Sequence, residues 1–310
     1  MRLTRLAQRA GEAVLSLLLI SLLIHAALDI APGDAADTLA GETAGAAQLT
    51  ALRREMGLDA PFLTRYGHYV GGILLRGDWG TSLVSRQPVA QLLRSRLAAT
   101  ATLAVISMTI ATTVGLVVGG MAAHHSHPWF DALVISMTAV ALAAPSYWIG
   151  LLLLRLFAVR LRWVPVIGRN DLSSLALPVV TLCLPLTATI VRLVRTHVLV
   201  ELRERYVVTA RAKGVSQWRL VARHVLRNSL SPIVMMLALH FGHLLGGVFI
   251  VETLFSWPGL GRLIVQGIFD QDHPVVMGAG LLIGALYIAC NLIADVAQDR
   301  LDPRSAQRAL

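Results

Sequence analysis

Residues 207–229 read VVTARAKGVSQWRLVARHVLRNS and carry six basic groups, Arg211, Lys213, Arg219, Arg223, Arg227 and the titratable His224, with no acid among them. Trp218, Val221, Ala222 and Val225 recur at helical spacing and share one face, while Arg219, Arg223 and Arg227 fall at i, i+4 and i+8 on another. Gly214 follows Arg211-Ala212-Lys213 and suits the left-handed residue that ends a helix, with basic side chains favourable in the last turn. The segment therefore reads as helix, glycine turn, amphipathic helix, then a long apolar run. Two readings fit it: a charged helix resting on anionic lipid, or a docking element for a cytoplasmic partner.

The rest of the chain puts that hairpin in a membrane. The 310 residues are 55% hydrophobic and only 15% charged, with a mean hydropathy of +0.66, and the apolar runs exclude a soluble two-domain enzyme. The net charge of +9 is spread between those runs and not gathered on one polar domain. Anionic headgroups and cytoplasmic loops account for it, so no nucleic-acid partner is expected. Cys183 and Cys290 sit inside apolar runs and imply neither a disulfide framework nor a cysteine metal site.

Crossing a hydrocarbon core takes about 20 apolar residues. Six stretches approach that length without Asp, Glu, Lys or Arg: 13–28, the apolar part of 97–131, 132–154, 172–191, 230–251 and 275–294. Each must be helical, because lipid satisfies no free backbone group, and continuous runs do not suit a β-barrel. Arg2, Arg5 and Arg9 before the first run also fit a secretory signal, but the run is long and Ile30-Ala31-Pro32 is a poor cleavage context. The expected architecture is all-α with six transmembrane helices. Residues 1–30 hold the N-terminus and first span, 31–96 an outer segment, and 97–310 the core with a hairpin at 200–229. Arginine placement puts both termini and the nine Lys or Arg of 192–227 in the cytoplasm, although Arg155, Arg160, Arg162 and Arg169 then face outward.

Tyr206, then TARAKG, then nine residues to His224, then LRN resembles the EAA-type signature of ABC importer permeases, in the branch that moves dipeptides, oligopeptides and nickel. GLDAPFLTRYG (57–67), GDWGTS (77–82), APSYWIGLLLLRLFA (144–158), WVPVIG (163–168) and VETLFSWPGLGRLIVQGIFDQDHPVVMG (251–278) are similar to successive landmarks of the same branch, in order and across nearly the whole chain. The chain departs from the pattern at the first alanine position, where Thr209-Ala210 stands without the usual acid. The resemblance implies a bacterial inner-membrane permease whose hairpin, with Ala210, Arg211, Lys213, Gly214, Arg219, Arg223 and His224, is a coupling helix held by a cytoplasmic ATPase. It further implies one or two ATPase subunits, a second, similar but distinct permease and a periplasmic or lipid-anchored solute-binding protein, with membrane lipid around the bundle. ATP and Mg are expected on the partner ATPases and no cofactor on this chain. A P-loop sets glycine directly before its lysine, whereas Lys213, the chain's only lysine, lies between Ala212 and Gly214.

His240 and His243 stand three apart on the fifth run, where ionisable groups are functional candidates. They suit either a pathway that holds a metal or carboxylate, or interhelical hydrogen bonds. The paired histidines tilt the substrate toward a metal chelate over a peptide. His124, His125 and His127 resemble a metal tract but read as a solvated loop. Glu252, Pro258 and Gly259 form either an external gate or a structural turn. Gly115, Gly119 and Gly120 on the second run, and Gly242, Gly246 and Gly247 on the fifth, give spacing for close helix contact, between permeases or within the chain. A transporter driven by an ion gradient is the rival from the same setting, and would show inverted repeats and broken helices; a membrane receptor is a second.

Overall fold

The computed structural model describes residues 2–31, 36, 40, 45–55, 57–124, 128–164, 173–221 and 225–301. Backbone groups in hydrocarbon have only one another as partners, and the described residues are accordingly helical, with one isolated bridge between Thr81 and Pro88 in place of any strand. The helices are α1 (Arg2–Ile30), α2 (Ala46–Glu55), α3 (Phe62–Gly71), α4 (Val89–His124), α5 (Pro128–Ala143), α6 (Ser146–Leu153), α7 (Ser173–Glu201), α8 (Arg205–Ala212), α9 (Gln217–Leu220), α10 (Leu226–Gly247), α11 (Phe249–Leu254), α12 (Leu260–Phe269) and α13 (His273–Leu301).

Four of them, α1, α4, α7 and α13, are long and apolar enough to cross a membrane, and α5 with α6 makes a fifth if the bent pair is counted as one. The run at 132–154 reads as one span, yet α5 and α6 meet at 96°. Pro145 is the cause: it has no N–H for the helical ladder and disfavours a helical Ala144 before it. The N–H groups of Trp148 and Ile149 then donate to Pro145 O and restart the helix. The run at 230–251 is likewise divided, because Val248 separates α10 from α11, and the apolar helix Ile233–Leu245 is shorter than the other spans.

The chain forms two compact units, one from Met1–Thr100 with Pro258–Ile288, the other from Ala101–Trp257 with Ala289–Leu310. In the first, Val89, Leu93, Leu260, Val275 and Ala279 form a core against which Trp79 packs. The loop after Trp79 is pinned by Asp272, 4% exposed, whose carboxylate accepts from Ser82 Oγ at 2.5 Å and from the Leu83 N–H at 3.1 Å. A buried acid is tolerated because donors surround it. Arg65 of α3 pairs with Asp29 of α1. His25 is a packing residue here, with its ring centroid 4.9 Å from that of Phe62 and its Nδ1 3.4 Å from Met277 Sδ.

The second unit is built on α7. Ile190, Val194 and Val198 are fully buried and Val191 nearly so. A Cβ at Gly115 would lie 2.5 Å from Ile190 Cγ2, and one at Gly119 2.7 Å from Val191 O, so these two glycines of α4 serve close packing within the chain, while nothing lies within 4 Å of a Cβ at Gly120. Gly150 of α6 sits equally tightly, 2.5 Å from Leu254 Cδ2 and 3.3 Å from Thr181 Cγ2 when given a Cβ. The Cys183 thiol donates to Ser107 O at 3.3 Å and is free, as is Cys290.

Candidate functional site

The basic hairpin leaves α7 through a turn at 201–204, where the Tyr206 hydroxyl donates to Glu201 Oε2 at 2.7 Å. At the far end of α8, the Gly214 N–H donates to Arg211 O at 3.0 Å and the Val215 N–H to Ala210 O at 3.2 Å, with Gly214 at φ +75°. These are the paired bonds of a Schellman stop, which requires a left-handed residue at this position. Nothing lies within 4 Å of where a Gly214 Cβ would be, so backbone conformation and not space selects glycine.

Arg211, Lys213 and Arg219 are exposed, while Val207, Leu220, Val221 and Val225 are buried. The hairpin thus stands on an apolar footing and turns its cations outward. Arg223 and His224, with Ala222 of the expected apolar face, lie outside the described residues, as do His125 and His127. Leu220 belongs to the footing although the helical spacing of Trp218, Val221, Ala222 and Val225 does not pick it out.

On α10, His240 is half-buried and His243 exposed. His240 Nε2 is buried with no hydrogen-bond partner, which an interhelical glue would have supplied. Glu252 is fully buried, and its carbonyl accepts the Trp257 N–H at 2.7 Å across a turn in which Ser256 takes φ +52°. Gly259 is extended and heads α12, with its carbonyl accepting from Leu263 N at 3.1 Å. Glu252 belongs to the second unit and Pro258 and Gly259 to the first. Among the described residues no three His, Cys, Asp or Glu gather as a metal site.

Two family comparisons cover almost the whole chain. The binding-protein-dependent transport system inner membrane component matches residues 115–307, and the N-terminal component of the same membrane protein matches residues 2–105. The chain belongs to this family. The glutathione transport system permease protein GsiC of Salmonella typhimurium and that of Escherichia coli strain K12 are each 37% identical to the permease over 288 residues, 93% of this chain and 94% of theirs. The permease is therefore an inner-membrane subunit of an ABC importer of the peptide and nickel branch, and the ATPase activity lies in partner subunits.

One feature of the permease escaped the sequence reading. Arg195 of α7 forks onto Asp131 in the first turn of α5, with Nε to Oδ1 at 2.5 Å and Nη2 to Oδ2 at 2.6 Å. The two are 64 positions apart, and no local periodicity joins an arginine in one run to an aspartate in another.

Proposed function

We propose that the permease forms half of the pathway of an ATP-driven uptake system for short peptides, and that the hairpin at 200–229 seats in a cytoplasmic ATPase. One observation carries this reading: a glycine-stopped hairpin holds Arg211, Lys213 and Arg219 outward on a buried apolar base. A helix kept on the bilayer surface would put its apolar face outward into lipid; this hairpin buries Val207, Leu220, Val221 and Val225, with Val200 and Val208 exposed beside them. The second half of the pathway is a similar but distinct permease, and a solute-binding protein delivers substrate to the outer side. In this arrangement the chain crosses the membrane six times with both termini cytoplasmic, and residues 31–96 lie outside.

The named relatives transport glutathione, a short peptide, which favours that class for this chain. A metal chelate is the second reading, favoured by His240 and His243 at i, i+3 on α10 with one buried ring nitrogen unpartnered. Glu252, Pro258 and Gly259 act as the gate in both. The test is uptake of labelled glutathione, a dipeptide and a nickel chelate by cells expressing the intact system. Replacing Arg219 by Glu is expected to abolish uptake of all three and to release the ATPase from the purified complex, with membrane insertion unchanged. Normal uptake would remove the coupling role. Replacing His240 and His243 by Ala depresses only nickel-chelate uptake if the second reading holds, and leaves peptide uptake intact.

A further inference from the structure

The Arg195 and Asp131 pair lies on the route from the hairpin into the bundle. Over the last part of α7, Ile190, Val191 and Val194 seat against Gly115 and Gly119 of α4, Arg195 grips α5, and Glu201, roughly 9 Å further along the helix axis, takes the hydroxyl of Tyr206 at the hairpin's base. Ala122, Val134 and Val191 form an apolar cluster at this junction with Phe130 and Val118 against it. Apolar packing already holds the helices together there, and a sheltered ion pair seldom adds more than apolar packing would. What a forked arginine does add is direction, because two parallel bonds fix the angle between the helices they join.

The bent α5–α6 pair packs along α7, α5 through Asp131 and through Val134 in the cluster with Val191, and α6 at Gly150, which lies against Thr181. The Asp131 pair is the directional contact in this packing. Without it, apolar packing still holds α5 to α7 but no longer fixes the angle between them. The Gly150 end also abuts Leu254 and Phe255, which flank the turn below buried Glu252. We infer that Asp131 and Arg195 are positioning residues that lock the bent α5–α6 pair to α7, so that displacement of the hairpin reaches the Glu252 segment. This rests on the coupling role proposed for the hairpin.

The experiment uses the complete reconstituted importer and measures substrate moved per ATP hydrolysed, the ratio a merely stabilising bond would leave alone. D131N and R195Q are expected to keep the ATPase bound and hydrolysing within about twofold of wild type while the ratio drops by roughly 10-fold, the scale of a broken coupling contact. D131E, which keeps a carboxylate in the first turn of α5, is expected to recover the ratio to within about threefold. An unchanged ratio in D131N and R195Q overturns the inference. So does loss of both variants from the membrane, which would make the bond structural only, and so does a D131E as uncoupled as D131N. A wild-type complex that never retains the ATPase would instead overturn the coupling reading beneath it.

Discussion

α1 and α7 are apolar to nearly the same degree, and both are long enough to span a membrane, yet 6% of the most apolar stretch of α1 is buried inside the protein against 56% of that of α7. Leu15, Leu19 and Leu23 of α1 are exposed, while Ile190, Val194 and Val198 of α7 are sealed. Lipid tails are as apolar as leucine, so hydrophobicity does not choose between facing lipid and facing protein; small residues that permit close approach do. The partners of α7 supply them on two helices, at Gly115 and Gly119 of α4 and Gly150 of α6, whereas α1 meets Gly280 and Gly284 of α13 through Ile24 and Ile20 along a single face. One helix is anchored to its unit lightly, the other is the axis of its own.

Four substitutions break or sharpen that contrast. The largest effect is expected for Ile190→Ala, which should destabilise the second unit by about 2–5 kcal/mol because a fully buried side chain leaves a cavity; a fall in the thermal midpoint of the purified permease reads it. Gly119→Val should cost about 1–3 kcal/mol by overpacking, since its Cβ would press on the Val191 carbonyl, which cannot swing aside. Gly214→Ala should cost about 1–2 kcal/mol locally, the left-handed penalty of a Cβ, and is seen as weaker ATPase retention with an unchanged thermal midpoint. Leu19→Ala on α1 should change the midpoint by less than about 0.5 kcal/mol equivalent, because lipid replaces lipid-facing contact; a drop as large as that of Ile190→Ala would erase the distinction between the two helices.

Much of this fold is legible in the residues. Continuous apolar runs mark the helices, and Gly214 after a basic helical turn marks the stop that the bonds of Gly214 and Val215 confirm. The exposure of Arg219 follows from the same periodicity. The bend at Pro145 was open to a reader of the sequence, because a proline inside a span either kinks or interrupts it; the uninterrupted hydropathy of 132–154 hid it. Asp272 and Ser82 are 190 positions apart, and Arg195 and Asp131 are 64 apart. Neither contact has a local signature, since a charged residue looks the same in sequence whether it ends in water or in another helix.

The residues alone determined that this chain lives in a membrane as helices and carries a basic glycine-stopped hairpin, because backbone hydrogen bonding, side-chain period and left-handed glycine are local constraints. Only the tertiary structure decided which helix is the axis, that Gly115 and Gly119 of α4 serve packing within the chain, and that Arg195 spends its charge on Asp131. Those outcomes depend on which surfaces approach within a few ångströms, and in a chain this uniformly apolar, composition does not encode proximity.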